Sequence, residues 1–142
     1  MKWSGLRGSD PNWVFGPRSA GQLHFGRGAG PKPTSVLISD GTWPHVAGVI
    51  DARSGRGLHY VDGVSVLEFE VTQPIESLHI DLIIGGEMAH GTDLVGQIDE
   101  LRIWNRALSQ GDIRANMYSS FRAPAPGLVV HYTFDGLDSE RI

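Results

Sequence analysis

The chain has 142 residues, of which 40% are hydrophobic and 20% charged, and this composition is that of one globular domain. Its net charge of −4 excludes a basic surface for nucleic acid. The absence of cysteine excludes disulfide frameworks, thiolate nucleophiles and cysteine zinc sites. No window approaches the roughly 18 apolar residues of a membrane helix, so membrane insertion is not expected. The opening MKWSGLRGSD lacks the apolar run of a signal peptide.

Short apolar runs follow one another along the chain, bounded by Gly, Pro, Asp and Ser. In chain order they are WVFG, GQLHFG, TSVLIS, HVAGVID, GLHYVDGVSVLEFEV, SLHIDLIIGG, LVGQIDELRIW and GLVVHYTFDG. Such runs at short intervals are typical of an all-β protein. We therefore expect two antiparallel sheets packed face to face, as a sandwich or jelly roll.

One hairpin and one helix are specified locally. Asp62-Gly63 between two β-like runs favours a type I′ turn, because both central residues need positive φ. In the run after the turn, Glu68 and Glu70 share a face, which we expect to be wet. Ser109 and Asp112 have the spacing of a capping box, which predicts a short helix near the C-terminus.

Two longer phrases carry a resemblance to a known family. GTWPHVAGVIDARSGRGLHYVDGVSV is similar to W-x-H-V-A … G … L-Y-V-D-G, and LIIGGEMAHGTDLVGQIDELRIWNRALSQGDIRA is similar to L-x-I-G-G … F-x-G-x-I-D-E-V-R-I-W-N-R-A-L-S-x-x-E-I. In this order, from Gly41 to Ala115, they resemble the laminin-G-like, concanavalin A-like lectin/glucanase jelly rolls, including the pentraxins.

The resemblance implies a β-sandwich recognition module without enzymatic activity, in extracellular or cell-surface proteins, that binds carbohydrate or a protein surface. The family's first strands are missing from the sequence, so we expect a single domain over 1–142 that is truncated at its N-terminus. An unpaired sheet edge invites pairing with a second copy, and we therefore expect a homodimer.

Calcium is the cofactor that the resemblance implies. Oxygen ligands from two loops would hold it; the candidates are Asp10, Asn12, Glu87 and Asp93. Met88 and Ala89 replace further oxygen ligands of the pentraxin pattern, so at most a single calcium ion is expected. The alternative is that residues 10–12 form only a turn.

Aromatic side chains are candidates for stacking on sugar rings. Trp13, beside the first of these loops, is the candidate for ligand contact, although core packing is its alternative. Trp43 and Trp104 lie in the family phrases and are expected to be packed. The six histidines are scattered one per strand or loop, which does not favour zinc.

The acids of GQIDELRIW could instead be catalytic, because the same fold carries glycosidases. Asp99 and Glu100 are adjacent and would point to opposite faces of a regular strand, which does not suit a catalytic pair. The apolar parity predicts a β-bulge there, with Arg102 on the wet face near Glu100. A glycoside hydrolase or lyase remains the alternative if Glu68 and its same-face partner line a deep cleft. A structural or assembly module of a mobile-cassette type is the third.

Overall fold

The structure, a computed structural model, describes residues 13–17, 21–27, 32–38, 41–71, 84, 96–120 and 125–136. These residues form strands and one helix in the following order: β1 Trp13–Pro17, β2 Gln22–Arg27, β3 Lys32–Leu37, β4 Val46–Asp51, β5 Arg56–Val61, β6 Val64–Glu70, β7 Leu101–Trp104, α1 Gln110–Asn116 and β8 Leu128–Tyr132.

The described strands form three antiparallel sheets with the orders β1-β2-β3, β4-β5-β6 and β7-β8. Strand β3 contacts β6, which brings the first two sheets together. Antiparallel strands with one short helix confirm the predicted fold class. Within the described ranges, no helix has the length and apolar character that a membrane crossing requires.

Strand β5 is the centre of its sheet and is covered on both faces. On one face Tyr60 packs with Val49 of β4 and Ile113 of α1 in a buried cluster. On the other face His59 has no exposed surface and meets Phe69 edge-on, with ring centroids 5.4 Å apart. Strand β5 is thus buried on both faces, and helix α1 covers one of them.

The hairpin between β5 and β6 has the predicted turn. Asp62 has φ 49° and Gly63 has φ 70°, so both central residues are left-handed, and Val61 pairs with Val64 across the turn. Farther along, the register shifts between His59 and its neighbour Tyr60. This bulge changes which face the later apolar residues of β6 occupy.

A glycine is required where β5 passes under the ring of Phe69. A Cβ built on Gly57 would lie 2.2 Å from Cζ of that ring, closer than any real contact. Glycine here lets the far end of the Phe69 ring approach the backbone of β5 closely.

Helix α1 begins as predicted. The Ser109 hydroxyl accepts the Asp112 amide at 3.1 Å, and the Asp112 carboxylate accepts the Ser109 amide at 3.0 Å. The capping box is therefore complete. Ile113, only 2% exposed, is the residue that anchors the helix to the sheet.

The change of parity before β7 comes from a single residue. Glu100 has φ 52°, and the Asp99 carboxylate accepts its amide at 2.8 Å. Pairing with β8 starts only at Leu101, while the register shift of this pair lies between Ile103 and Trp104. The predicted irregularity at 99–100 is thus a left-handed bend just before the strand rather than a bulge within it.

Candidate functional site

The residues predicted to bind metal and ligand fall largely outside the described ranges. Asp10, Asn12, Glu87 and Asp93 are all outside them, so the calcium site stays a prediction. Trp13 begins β1, with its backbone paired to Arg27, but its side chain is not described. Among the residues that the structure does describe, no three His, Asp or Glu side chains converge as a metal site.

Of the two acids of GQIDELRIW, Glu100 belongs to a polar cluster between β7 and β8 that it forms with Arg102 and His131. Oε2 of Glu100 accepts a hydrogen bond from Nη2 of Arg102 and lies 2.8 Å from Nε2 of His131. Arg102 and His131 are directly opposite each other in the strand pair, so their side chains share one face. One carboxylate therefore joins the two strands through two basic groups.

Arg102 also holds the end of helix α1. Its Nη1 donates to the Asn116 carbonyl at 2.7 Å and its Nη2 to the Ser119 carbonyl at 2.5 Å. The last carbonyls of a helix lack intrahelical partners and carry partial negative charge, which a guanidinium satisfies. The Arg102 side chain is only 9% exposed, so the prediction that it lies on the wet face is wrong. The predicted proximity of Arg102 to Glu100 is confirmed.

These contacts set the ionisation of the cluster. Partial burial raises the pKa of Glu100, but the hydrogen bonds from His131 and Arg102 outweigh it and hold the pKa below its ordinary value. Burial lowers the pKa of nearby His45, and the charge of Arg102 lowers it further against the opposing effect of Asp62. Glu100 is therefore ionised and His45 neutral at pH 7.

The opposite face of β8 is aromatic and exposed. Tyr132 follows His131 in the strand and so points to the other face, where 49% of its surface is exposed. Phe134, also exposed, lies beside it, with ring centroids 6.0 Å apart and planes tilted by 38°. Phe134 has φ 57°, a conformation that a bulky residue rarely adopts. We call Tyr132 and Phe134 the aromatic pair.

Sequence reasoning missed the aromatic pair. GLVVHYTFDG was interpreted only as the last of the β-like runs. The alternation of His131, Tyr132, Thr133 and Phe134 was the available signal, because a period of two puts both rings on one face. The left-handed turn at Phe134 has no such signal in the sequence.

A second exposed aromatic surface lies near the Asp62-Gly63 turn. Trp43 is 64% exposed, so the expectation that it is packed is wrong. Its loop is held to the turn by two hydrogen bonds of 2.8 Å, from the His45 amide to the Asp62 carboxylate and from the Asp62 amide to the His45 carbonyl. Trp104, by contrast, is half-buried, with Arg106 over its ring at 5.6 Å.

A family model shows to which superfamily the chain belongs. The laminin-G-like model, described as the concanavalin A-like lectin/glucanases superfamily, matches residues 2–114. The chain belongs to this superfamily. The concanavalin A-like resemblance of the two sequence phrases is thereby confirmed.

Two solved structures are similar to this concanavalin A-like chain. A crystal structure from Bacteroides ovatus ATCC 8483, described as a proposed carbohydrate-binding protein, has a TM-score of 0.69 at 20% identity and covers 92% of this chain. An S-layer domain-containing protein from Clostridium thermocellum ATCC 27405 has a TM-score of 0.49 at 23% identity and covers 78% of this chain. The chain spans 40% of the first structure and 58% of the second. No curated protein matches it.

The superfamily contains glucanases, and glycoside hydrolysis requires a pair of convergent carboxyl groups, one of which acts as a general acid. A general acid needs a raised pKa, whereas that of Glu100 is lowered. Glu68 and Glu70 lie on the exposed face of β6, and Glu68 forms an ion pair of 2.6 Å with Arg56, both about half exposed. Neither set has the buried, convergent geometry that acid/base catalysis requires.

Proposed function

We propose that the chain is a non-catalytic module that binds carbohydrate through the aromatic pair Tyr132 and Phe134. The carrying observation is the pair itself, two adjacent exposed rings with centroids 6.0 Å apart on the solvent face of β8. The C–H faces of sugar rings pack on aromatic rings, and ligand sites combine such apolar surface with a few polar groups.

The backbone at Phe134 supports this proposal. A non-glycine residue in the left-handed region is strained by on the order of 1–3 kcal/mol, and such strain collects at functional sites. In this strained conformation the Phe134 ring lies beside Tyr132, where both rings would face a ligand.

Polar groups suited to sugar hydroxyls lie directly after the aromatic pair. Asp135 is exposed, and a carboxylate accepts hydrogen bonds from hydroxyl groups. Its amide donates to the Thr133 hydroxyl at 3.4 Å, which turns the chain at this point. The rings would supply contact area and the carboxylate would orient the sugar.

A glycan array tests the proposal. The wild-type chain should bind a defined group of glycans, and a variant with Tyr132→Ala and Phe134→Ala should lose that binding. Val129→Ala is the matched control, because Val129 is also an exposed apolar residue of β8 but is not part of the aromatic pair. Retained binding by the double variant would overturn the assignment to the aromatic pair.

Calcium assistance forms a finer part of the proposal. The supporting pattern is the loop oxygens of Asp10, Asn12, Glu87 and Asp93, with Trp13 as a further ligand contact. If a single calcium bridges protein and sugar, a chelator removes array binding and Asp10→Asn does the same at limiting calcium. Binding that is unchanged by chelator would show recognition without calcium, through the rings alone.

Partner and setting complete the proposal. We infer a domain over 1–142 that acts outside the cell or at its surface and that forms a homodimer through a sheet edge, with a protein surface as the alternative ligand. Light scattering tests the dimer, and a single monomeric species would contradict it. Hydrolysis of a polysaccharide panel that disappears in Glu68→Gln would instead establish the glycoside hydrolase.

A further inference from the structure

The chain has three Asp-Gly pairs, and the two that lie wholly within the described residues have opposite environments. Asp62-Gly63 forms the tight turn between β5 and β6, and Asp135-Gly136 follows the aromatic pair. Asp-Gly is the dipeptide in which an aspartate side chain and the next amide react most readily, because glycine offers little steric hindrance. The environment therefore decides which pair can react.

At the first pair, every group that must move is held. The Asp62 carboxylate accepts the His45 amide at 2.8 Å. The Gly63 carbonyl accepts from Gln110 and from Arg114, both at 2.9 Å. A Cβ on Gly63 would lie 2.7 Å from Cγ of Arg114, so this backbone has no free space around it. Ring closure would need rotation about bonds that these contacts fix.

At the second pair, the surroundings are open. Asp135 and Gly136 are both exposed, and no atom lies within 4 Å of a Cβ built on Gly136. The hydrogen bond from the Asp135 amide to the Thr133 hydroxyl is long, at 3.4 Å. The preceding residue, Phe134, is strained at φ 57°, so local rearrangement here releases strain.

We propose that Asp135 is a site of spontaneous isoaspartate formation, whereas Asp62 is protected by the fold. The Gly136 nitrogen bonds to Cγ of Asp135 and loses its proton, while the carboxyl group loses an oxygen, so that water leaves and a succinimide forms. Water then opens the ring at either carbonyl. One opening restores aspartate, and the other leaves the chain running through the side chain as isoaspartate. Composition is unchanged, and water is the only co-reactant.

The product has a consequence that rests on the proposed function. Isoaspartate adds one carbon to the backbone immediately after Phe134 and converts the side-chain carboxylate of Asp135 into a shorter one on the main chain. Both changes displace the polar group beside the aromatic pair. Ageing would therefore weaken carbohydrate binding without a mutation.

The test is independent of ligand binding. The folded protein is aged at neutral pH, and isoaspartate is quantified by peptide mapping and by enzymatic methylation of the isoaspartyl carboxylate. We expect formation at Asp135 to be about tenfold faster than at Asp62, the ratio that a barrier difference of about 1.4 kcal/mol gives. In denaturant the two rates should converge. Asp40 of the third pair lies outside the described residues, so its peptide is neither test nor control.

Two variants separate environment from sequence. Gly136→Val should suppress isoaspartate at position 135, because the branched side chain hinders the amide, and open space around Gly136 accommodates it. A variant with Gln110→Ala and Arg114→Ala should increase the rate at Asp62 towards its denatured value. Equal rates at the two sites in the folded protein would overturn the proposal. So would an Asp135 rate unaffected by Gly136→Val. Loss of glycan binding without isoaspartate would leave this proposal refuted and the proposed function intact.

Discussion

The two faces of β8 differ as sharply as any two surfaces of the molecule, although adjacent residues form them. On one face His131 and Arg102 are nearly buried, share the Glu100 carboxylate and hold the end of α1. On the other face Tyr132 and Phe134 contact each other through their rings and are both exposed. The comparison indicates that one face stabilises the fold and the other remains available for a ligand.

The largest expected effect comes from breaking the buried face. Arg102→Met removes the partner of Glu100 and of the Asn116 and Ser119 carbonyls, and leaving buried polar groups unpaired costs about 3 kcal/mol. Denaturant unfolding should show this loss in the free energy of unfolding. Arg56→Met is the matched control, since its exposed ion pair with Glu68 is expected to contribute less than about 1 kcal/mol. Equal losses in the two variants would contradict the distinction between the faces.

Relieving the backbone strain at Phe134 should stabilise the fold, whereas Arg102→Met should destabilise it. Phe134→Gly removes the penalty of φ 57° and should raise the free energy of unfolding by about 1 kcal/mol. The same variant should weaken carbohydrate binding, because one ring of the aromatic pair is lost. Calorimetric unfolding together with binding measurements checks both. A destabilised variant would show that the ring packs on the fold rather than serving a ligand.

The pH dependence of stability should report two groups whose pKa values the Arg102 charge lowers, His45 and Glu100. Burial lowers the pKa of His45, so its contribution to stability is complete above the ordinary pKa of 6.5 and is lost as the pH falls below 6.5 and through the lowered pKa of the folded state. The pKa of Glu100 is lowered, so its contribution is lost only at lower pH, below its ordinary 4.5. Melting temperature should therefore fall in two stages on acidification.

A variant isolates the first stage. His45→Gln should flatten the decline around pH 6.5 and leave the decline below 4.5 in place. Phe134→Ala should leave both stages unchanged, since the aromatic pair contains neither His45 nor Glu100. A melting temperature that rises as the pH falls from 7 would show the wrong sign for both groups.

Local chemistry made part of this molecule predictable. The turn at Asp62-Gly63 and the cap at Ser109 depend on neighbours within a few residues, and both are present as predicted. The exposed face of Glu68 and Glu70 follows from a period of two and is also confirmed.

The rest depends on contacts that sequence spacing does not specify. Arg102 is buried because helix α1 ends with its carbonyls against β7, a contact between segments 14 and 17 residues apart. Trp43 is exposed although it lies in a family phrase, because its loop is tied to a turn by hydrogen bonds between His45 and Asp62 rather than by the ring. Phe134 contacts Tyr132 because its own backbone is left-handed, a conformation that the preferences of phenylalanine do not predict.

The central claim is that the exposed face of β8 binds carbohydrate while the buried face supports it. Isothermal titration of a glycan identified on the array tests it most directly, with wild type, Tyr132→Ala and Val129→Ala compared. We predict that Tyr132→Ala weakens binding at least about tenfold, roughly 1.4 kcal/mol, with Val129→Ala unchanged. Unchanged affinity in Tyr132→Ala, with loss in Trp43→Ala, would contradict the account and move the ligand to the Asp62-Gly63 turn.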